Sequence, residues 1–232
     1  MEPRSVGEPG IGRLMRVLAL TNMYPSPATP RAGTFIEQQV VGLRHLGLDV
    51  DVLLVDRAGS GPLRYARTGR SVRRALHRGR RDVLHVMYGG VMADLATRRD
   101  PKVPTVVSFC GVDLLGADYG SLGYRLRTGL GVRASYRAAR RADAIIVKSR
   151  NLHRGLPADV DRSRVFIVPN GVSLERFRPM DRAACRARLG WEEGVFHVLF
   201  STARRDSQKK RSALAEAAVR ELGNRGVRAE LH

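Results

Sequence analysis

From Arg16 onward, short apolar runs alternate with longer stretches whose apolar positions recur at helical spacing. The runs are Arg16 to Thr21, Asp49 to Val55, Asp82 to Met87, Val103 to Ser108, Ala144 to Val147 and Val165 to Val168. They are rich in Val, Leu and Ile and too short to be core helices, so they predict buried strands. Helical patterns fill the gaps over Phe35 to Leu46, Leu63 to Arg78, Val91 to Arg98, Leu122 to Arg141 and Ser149 to Gly155. Apolar strands alternating with helices predict an α/β fold with a doubly wound parallel sheet, Rossmann-like, over residues 14–172.

A second unit of the same kind begins further on. Asp181 is placed to cap a helix over Arg182 to Leu189, which Gly190 closes. A strand over Val195 to Phe200, a helix over Ser207 to Leu222 and a strand over Val227 to Leu231 follow. This β-α-β opening is expected to be the truncated start of a second Rossmann-like domain, because two strands alone cannot bury their apolar faces. The expected organisation is a disordered leader at 1–13, a first domain at 14–172, a hinge and helix at 173–191, and the second domain's start at 192–232. Val168-Pro169-Asn170-Gly171 supplies the hinge, with Asn170-Gly171 as a turn pair tolerant of positive φ.

Composition narrows the partners. A net charge of +19 admits nucleic acid, an anionic membrane or acidic ligands, or an arginine bias that decorates solvated faces. Aromatics are only 6% and no recognisable nucleic-acid module is present, so nucleic acid is not expected as a partner. Cys110 and Cys185 form neither a disulfide framework nor a metal spacing, and no metal-ligand cluster is evident. A reducing cytoplasm is the expected compartment. No run reaches the ~20 apolar residues of a membrane span. The Leu63 to Arg78 helix, however, sets Leu63, Ala66, Gly69, Val72 and Leu76 on one face against six arginines on the others. Core packing accounts for that stripe, as does peripheral docking on an anionic membrane.

Candidate chemistry sits at strand ends. The loop Asn22 to Gly33 lacks the GxGxxG turn of dinucleotide sites, so no NAD or FAD cofactor is expected. Gly33 precedes Thr34-Phe35-Ile36-Glu37, a predicted capping box whose exposed amides suit an anion; an ordinary capped helix has the same pattern. His85 to Gly90 closes the third strand, and there His85 alone fits a buried structural histidine. Ser108-Phe109-Cys110-Gly111-Val112-Asp113 follows the fourth, with Asp113 either functional or a helix-cap carboxylate. Arg204 and Lys210 lie beyond Val195 to Phe200 in a basic run that includes Arg205 and Lys209, and a solvated face would also account for it.

With these motifs in place, the chain resembles the retaining GT-B glycosyltransferases of the family 4-like group. The hinge Val168 to Pro179 is similar to that family's "PNGvdlerFrP" segment, His85 to Gly89 to "HahyG", and Ser108 to Leu114 to "TfHGsDl". The resemblance implies transfer of a sugar from a UDP- or GDP-sugar co-substrate to a glycan or lipid-linked acceptor, with retention and without an essential metal. It implies Gly33, Arg204 and Lys210 as donor-phosphate ligands, Tyr88, Gly89 and Gly111 on the acceptor side of the cleft, and Asn170 and Gly171 at the hinge. Cys110 and Asp113 are implied as catalytic, but Cys110 stands where the family usually has histidine, and a thiol is the weaker donor. Cell-surface polysaccharide assembly of the teichuronic-acid type is the implied subgroup. The family's further acidic segment and base pocket are not found before His232, so residues 1–232 are expected not to transfer sugar by themselves. The alternative function is a non-catalytic module that binds an acceptor, a membrane or a partner.

Overall fold

The computed structural model of the protein describes residues 14–55, 62–77, 79–98, 103–117, 119–201 and 210–232, without the side chains of 62–68. The chain divides into two compact units, one of residues 1–117 with 122–171, the other of 118–121 with 172–232. Arg204, and with it Arg205 and Lys209, lies outside the described residues.

The first unit is a parallel sheet of β1 (Arg16–Thr21), β2 (Asp49–Leu54), β3 (Val83–Val86), β4 (Thr105–Phe109), β5 (Ala144–Val147) and β6 (Val165–Ile167). Its strand order is β2-β1-β3-β4-β5-β6, and every pairing is parallel. The chain moves one way from β1 to β2 and the other way from β3 onward. The order therefore reverses between β1 and β3, and the crevice beyond the strands' carboxyl ends opens at that point. The connections are α1 (Thr34–His45), α2 (Pro62–His77), α3 (Val91–Ala96), α4 (Val112–Leu115), α5 (Leu122–Arg141) and α6 (Arg150–Arg154).

Strand alternation divides the core in two. On β1, Val17 and Ala19 pack with Ile36 and Val40 of α1, with Val50 and with Met87. Leu18 and Leu20 face the other side, joining Leu84, Val86, Val107, Phe109, Ile145 and Val147 beneath α2 to α6. The pattern of small residues on α5 (Ala134, Ser135, Ala138 and Ala139, all fully buried) lets that helix approach α3 and α4 closely.

Several elements depart from the sequence reading. Thr34 and Glu37 form no capping box. The helix already begins at Thr34, and Gly33, in the left-handed conformation, is the cap residue without any side-chain bond. Asn170 and Gly171 make no positive-φ turn; their segment runs on without one, and Asn170 Oδ1 accepts a 2.8 Å bond from Gln39 Nε2 of α1. The four-residue α4 was hidden because its glycine flanks mask any helical period.

The second unit holds α7 (Arg182–Leu189), β7 (Phe196–Val198), α8 (Ser212–Asn224) and β8 (Ala229–Leu231), with β7 and β8 parallel. Asp181 caps α7 by accepting a 2.8 Å bond from the Ala184 amide, and Gly190 ends it at φ 66°. β7 is shorter than the apolar run that announced it.

One buried charge holds α3 against α5. Asp94 is 3% exposed, and its carboxylate accepts from Arg137 at 2.8 and 3.1 Å, from Arg98 at 2.9 Å and from Arg141. Burial alone would raise its pKa; the bonds from Arg137 and Arg141 and the charges of Arg137 and Arg98 outweigh that and hold it below the ordinary value. A depressed carboxylate stabilises the fold above its unfolded pKa and loses that contribution as pH falls through the folded value. Asp94→Asn should therefore lower the melting temperature at pH 7 and leave a smaller drop on acidification below pH ~4 than the parent shows. Parallel melting curves for parent and variant from pH 7 to 2.5 would count against this.

Candidate functional site

The loops that follow β1, β3 and β4 meet at the carboxyl edge of the sheet, and a single side chain ties two of them together. Asp113, in the first turn of α4, is 6% exposed. Its carboxylate accepts bonds from the amides of Gly89 at 2.8 Å, Cys110 at 3.1 Å and Gly111 at 2.6 Å. Ser135 of α5 completes the knot: its hydroxyl donates to the Asp113 carbonyl and accepts from the Gly90 amide at 2.7 Å. Burial pushes the Asp113 pKa up, with the amide bonds pulling the other way. Its oxygens are engaged by backbone, so Asp113 acts on the shape of these loops.

Gly89 is fixed by space. A Cβ there would stand 2.5 Å from Ser135 Oγ and 2.8 Å from the buried Phe109 ring. Tyr88, partly buried, packs against the larger core cluster beside it. His85 is buried and shares a 2.8 Å hydrogen bond between its Nε2 and Ser108 Oγ. Burial, with a smaller contribution from the charge of Lys148, lowers its pKa to about 4, so it is neutral at physiological pH. Cys110 follows β4 and is half-buried. Burial, together with the Asp113 carboxylate, pushes its pKa up to about 12 against a weaker pull from Lys148. The group is therefore a neutral thiol, a weak hydrogen-bond donor and not a thiolate nucleophile.

The β1–α1 loop is shaped by Gly33. Its φ is 69°, and a Cβ would lie 2.4 Å from the Met23 carbonyl oxygen and 3.0 Å from the Tyr24 nitrogen. The Gly33 carbonyl takes the amides of Ile36 and Glu37 at 2.8 and 3.1 Å. The amides of Thr34 and Phe35 have no acceptor among the described residues, which leaves the positive end of α1 bare.

The structure thus gathers Gly89, Cys110, Gly111 and Asp113 with Tyr88 at one edge of the first unit, and sets Gly33 at the head of α1. Lys210 is exposed in the second unit, immediately before Arg211, the cap residue of α8. Lys148 was missed. It follows the last residue of β5, and applying the strand-end argument to the fifth strand as to the third and fourth would have found it. A further grouping in the second unit was invisible at sequence spacing: pairing of β7 with β8 brings His197, Glu230 and His232 within 4.8 Å. His197 and His232 share a 2.9 Å hydrogen bond, and Trp191 stacks on both rings.

The family description "Glycosyl transferase 4-like domain" matches residues 14–171, the whole of the six-stranded sheet and its carboxyl-edge loops. The chain belongs to the glycosyl transferase 4-like family. A D-inositol 3-phosphate glycosyltransferase from Geodermatophilus obscurus is 44% identical over 64 residues, 28% of this chain but only 14% of that protein. In fold, the chain is similar to sucrose-phosphate synthase from Thermosynechococcus elongatus, with a TM-score of 0.65 at 17% identity over 94% of this chain and 70% of that one. It is also similar to the lipopolysaccharide outer core galactosyltransferase WaaB, with a TM-score of 0.54 at 13% identity over 94% of this chain and 68% of that one. The architecture is the Rossmann-like α/β fold of GT-B glycosyltransferases.

Proposed function

We propose that the protein is a glycosyltransferase that moves a sugar, with retention, from a UDP- or GDP-sugar to a glycan or lipid-linked acceptor. The observation that carries this reading is the coincidence of the family match with the whole parallel sheet, whose carboxyl edge presents the loops that Asp113 organises. The resemblance assigns the donor phosphates to Gly33, Arg204 and Lys210. The bare amides of Thr34 and Phe35 behind Gly33 suit that assignment, since a helix N-terminus with close backbone access attracts an anion. Leaving-group departure puts negative charge on a nucleoside diphosphate, and fixed cations and amides stabilise it as it develops. Tyr88, Gly89 and Gly111 then border the acceptor. Cys110 contributes at most a neutral S–H donor, and Asp113 acts as a positioning residue, so the chemistry falls mainly on the phosphate contacts. A cell-surface polysaccharide is the acceptor class that the resemblance favours, and Asn170 and Gly171 are the hinge.

The test is to incubate residues 1–232, completed with a whole second Rossmann-like domain, with UDP- and GDP-sugars together with glycan and polyprenyl-linked acceptors; residues 1–232 by themselves are expected to release neither nucleotide. From the completed protein, release of UDP or GDP with a product of the donor's own anomeric configuration is expected. Acceptor-dependent release with inverted configuration would refute retention alone. Absence of release with every pair would refute the transferase reading and favour a binding module.

Membrane contact belongs to the same proposal, with α5 as a better-suited surface than the Leu63 to Arg78 helix. Val72, Ala75 and Leu76 of α2 pack on the core, so the described outer face of that helix offers Arg70, Arg73 and Arg74 and no apolar stripe. Helix α5 instead exposes Leu122, Leu126 and Leu130, four residues apart, beside Arg125, Arg127 and Arg133. Apolar side chains flanked by cations suit an anionic bilayer surface. Phosphatidylglycerol vesicles should bind the protein and release it as salt rises, and Leu126→Gln with Leu130→Gln should weaken binding more than Arg70→Gln with Arg73→Gln. Equal binding to neutral vesicles would contradict it.

A further inference from the structure

Among the described residues, nothing neutralises the charge of Lys148. In β5, Ile145 and Val147 point into the larger core cluster, so Ile146 and Lys148 face the other side of the sheet. The same alternation puts His85 of β3, and Ser108 and Cys110 at the end of β4, on that side. Phe109 pairs with Val147, so the next residues, Cys110 and Lys148, leave their strands side by side at the carboxyl edge. Lys148 is half-buried there, and no carboxylate or carbonyl among the described residues pairs with it. Asp113 does not serve, because its oxygens are taken by three amides. Its two titratable neighbours are neutral: the His85 imidazole, held to Ser108, and the Cys110 thiol. Burial lowers the Lys148 pKa, which is the response of a cation short of a counterion.

The choice of residue adds to this. Of 41 basic residues in the chain, only Lys102, Lys148, Lys209 and Lys210 are lysines; the other 37 (41 minus 4) are arginines. An interior lysine in so arginine-rich a chain is a compact point charge on a flexible stem, suited to follow a ligand oxyanion where a planar fork would need two fixed partners. A half-buried cation on the open end of a parallel sheet, without an internal partner, is completed by an anion from solution.

We propose that Lys148 is an anion anchor at the carboxyl edge of the sheet, binding a phosphoryl oxygen of a substrate. This rests on the transferase reading only for the identity of that substrate. The phosphoryl group comes either from the nucleoside diphosphate of the donor or from a phosphorylated acceptor.

The experiment is a lysine-reactivity footprint on the full-length protein without turnover. A pulse of acetic anhydride is followed by mass spectrometry of the Lys148 and Lys102 peptides, with and without inorganic phosphate, glucose 1-phosphate or UDP. At saturating ligand, Lys148 acetylation is expected to slow at least fivefold while Lys102 is unaffected. Lys148→Met should reduce phosphate affinity, measured by calorimetry, at least tenfold, and Lys148→Arg should restore part of it. Protection by UDP alone assigns the anchor to the donor; protection by phosphate and glucose 1-phosphate assigns it to the acceptor. Unchanged Lys148 reactivity with all three ligands overturns the anchor, even if the protein transfers sugar. Protection without any transfer leaves the anchor standing and removes the transferase reading.

Discussion

Replacing Asp113 with alanine is expected to destabilise the first unit by about 3–5 kcal/mol, since each buried amide left without its acceptor costs ~1–3 kcal/mol. Three amides, those of Gly89, Cys110 and Gly111, depend on this one carboxylate, and they belong to loops after two different strands. A melting temperature lower by roughly 10 °C follows for a protein of this size. Asp113→Asn keeps the shape and one acceptor oxygen, but turns an NH2 group toward a backbone donor, so it should recover about half of the loss. Because Ser135 bonds the Asp113 carbonyl, Ser135→Ala should be milder: it removes one link and leaves the carboxylate's bonds intact. Thermal unfolding of the three variants checks the order. An Asp113→Ala protein that melts within a degree or two of the parent would show that water replaces the carboxylate and that the knot is not what shapes these loops.

Gly33→Ala is expected to remove nucleotide-sugar binding while leaving most of the sheet intact. The added Cβ would sit 2.4 Å from the Met23 carbonyl oxygen and 2.6 Å from its carbon, both backbone atoms that cannot rotate away. The φ of 69° adds a penalty of about 1–2 kcal/mol for any residue with a side chain. The loop Asn22 to Ala32 must then shift across the N-terminus of α1, where the Thr34 and Phe35 amides stand open. Losing two charge-assisted amide contacts corresponds to about 3 kcal/mol or more, a fall of at least a hundredfold in affinity for a UDP- or GDP-sugar. Calorimetric titration of the full-length variant tests this, with circular dichroism to show the fold. Unchanged affinity in a folded variant would place the diphosphate elsewhere.

The β-α alternation was legible because buried parallel strands are continuous apolar runs, and Arg16 to Thr21 and Ala144 to Val147 coincide with β1 and β5 to the residue. Asp181 and Gly190 announced α7 for the same kind of local reason: capping chemistry is carried by one or two side chains. What failed was chemistry decided by tertiary approach. Thr34 and Glu37 have capping-box spacing, yet the tight pass of the chain at Met23 makes Gly33 the cap residue. Asn170-Gly171 has turn composition, but Gly171 takes no positive φ and Asn170 instead accepts a bond from Gln39 of α1. For Asp113 the sequence left a functional group and a helix-cap carboxylate both open; the structural alternative fits its bonds to the Cys110 and Gly111 amides, while the bond to Gly89, 24 residues away, was not legible. The Leu63 to Arg78 stripe was legible as amphipathic, but composition cannot tell a face turned to the core from one turned to a bilayer. Lys148 was missed because a single polar residue after an apolar strand carries no spacing pattern.

The proposed meeting place of substrates with this protein is the carboxyl edge of the first unit's sheet, between the loops after β1, β3, β4 and β5. Amide chemical-shift mapping by nuclear magnetic resonance, with a UDP- or GDP-sugar titrated into the full-length labelled protein, tests it most directly. Saturable shifts are expected at Thr34 and Phe35, with smaller ones at Tyr88, Gly111 and Lys148, and quiet amides at the opposite ends of the strands such as Arg16, Asp49 and Val83. Shifts confined to those opposite ends, or to the outer face of α2, would contradict it.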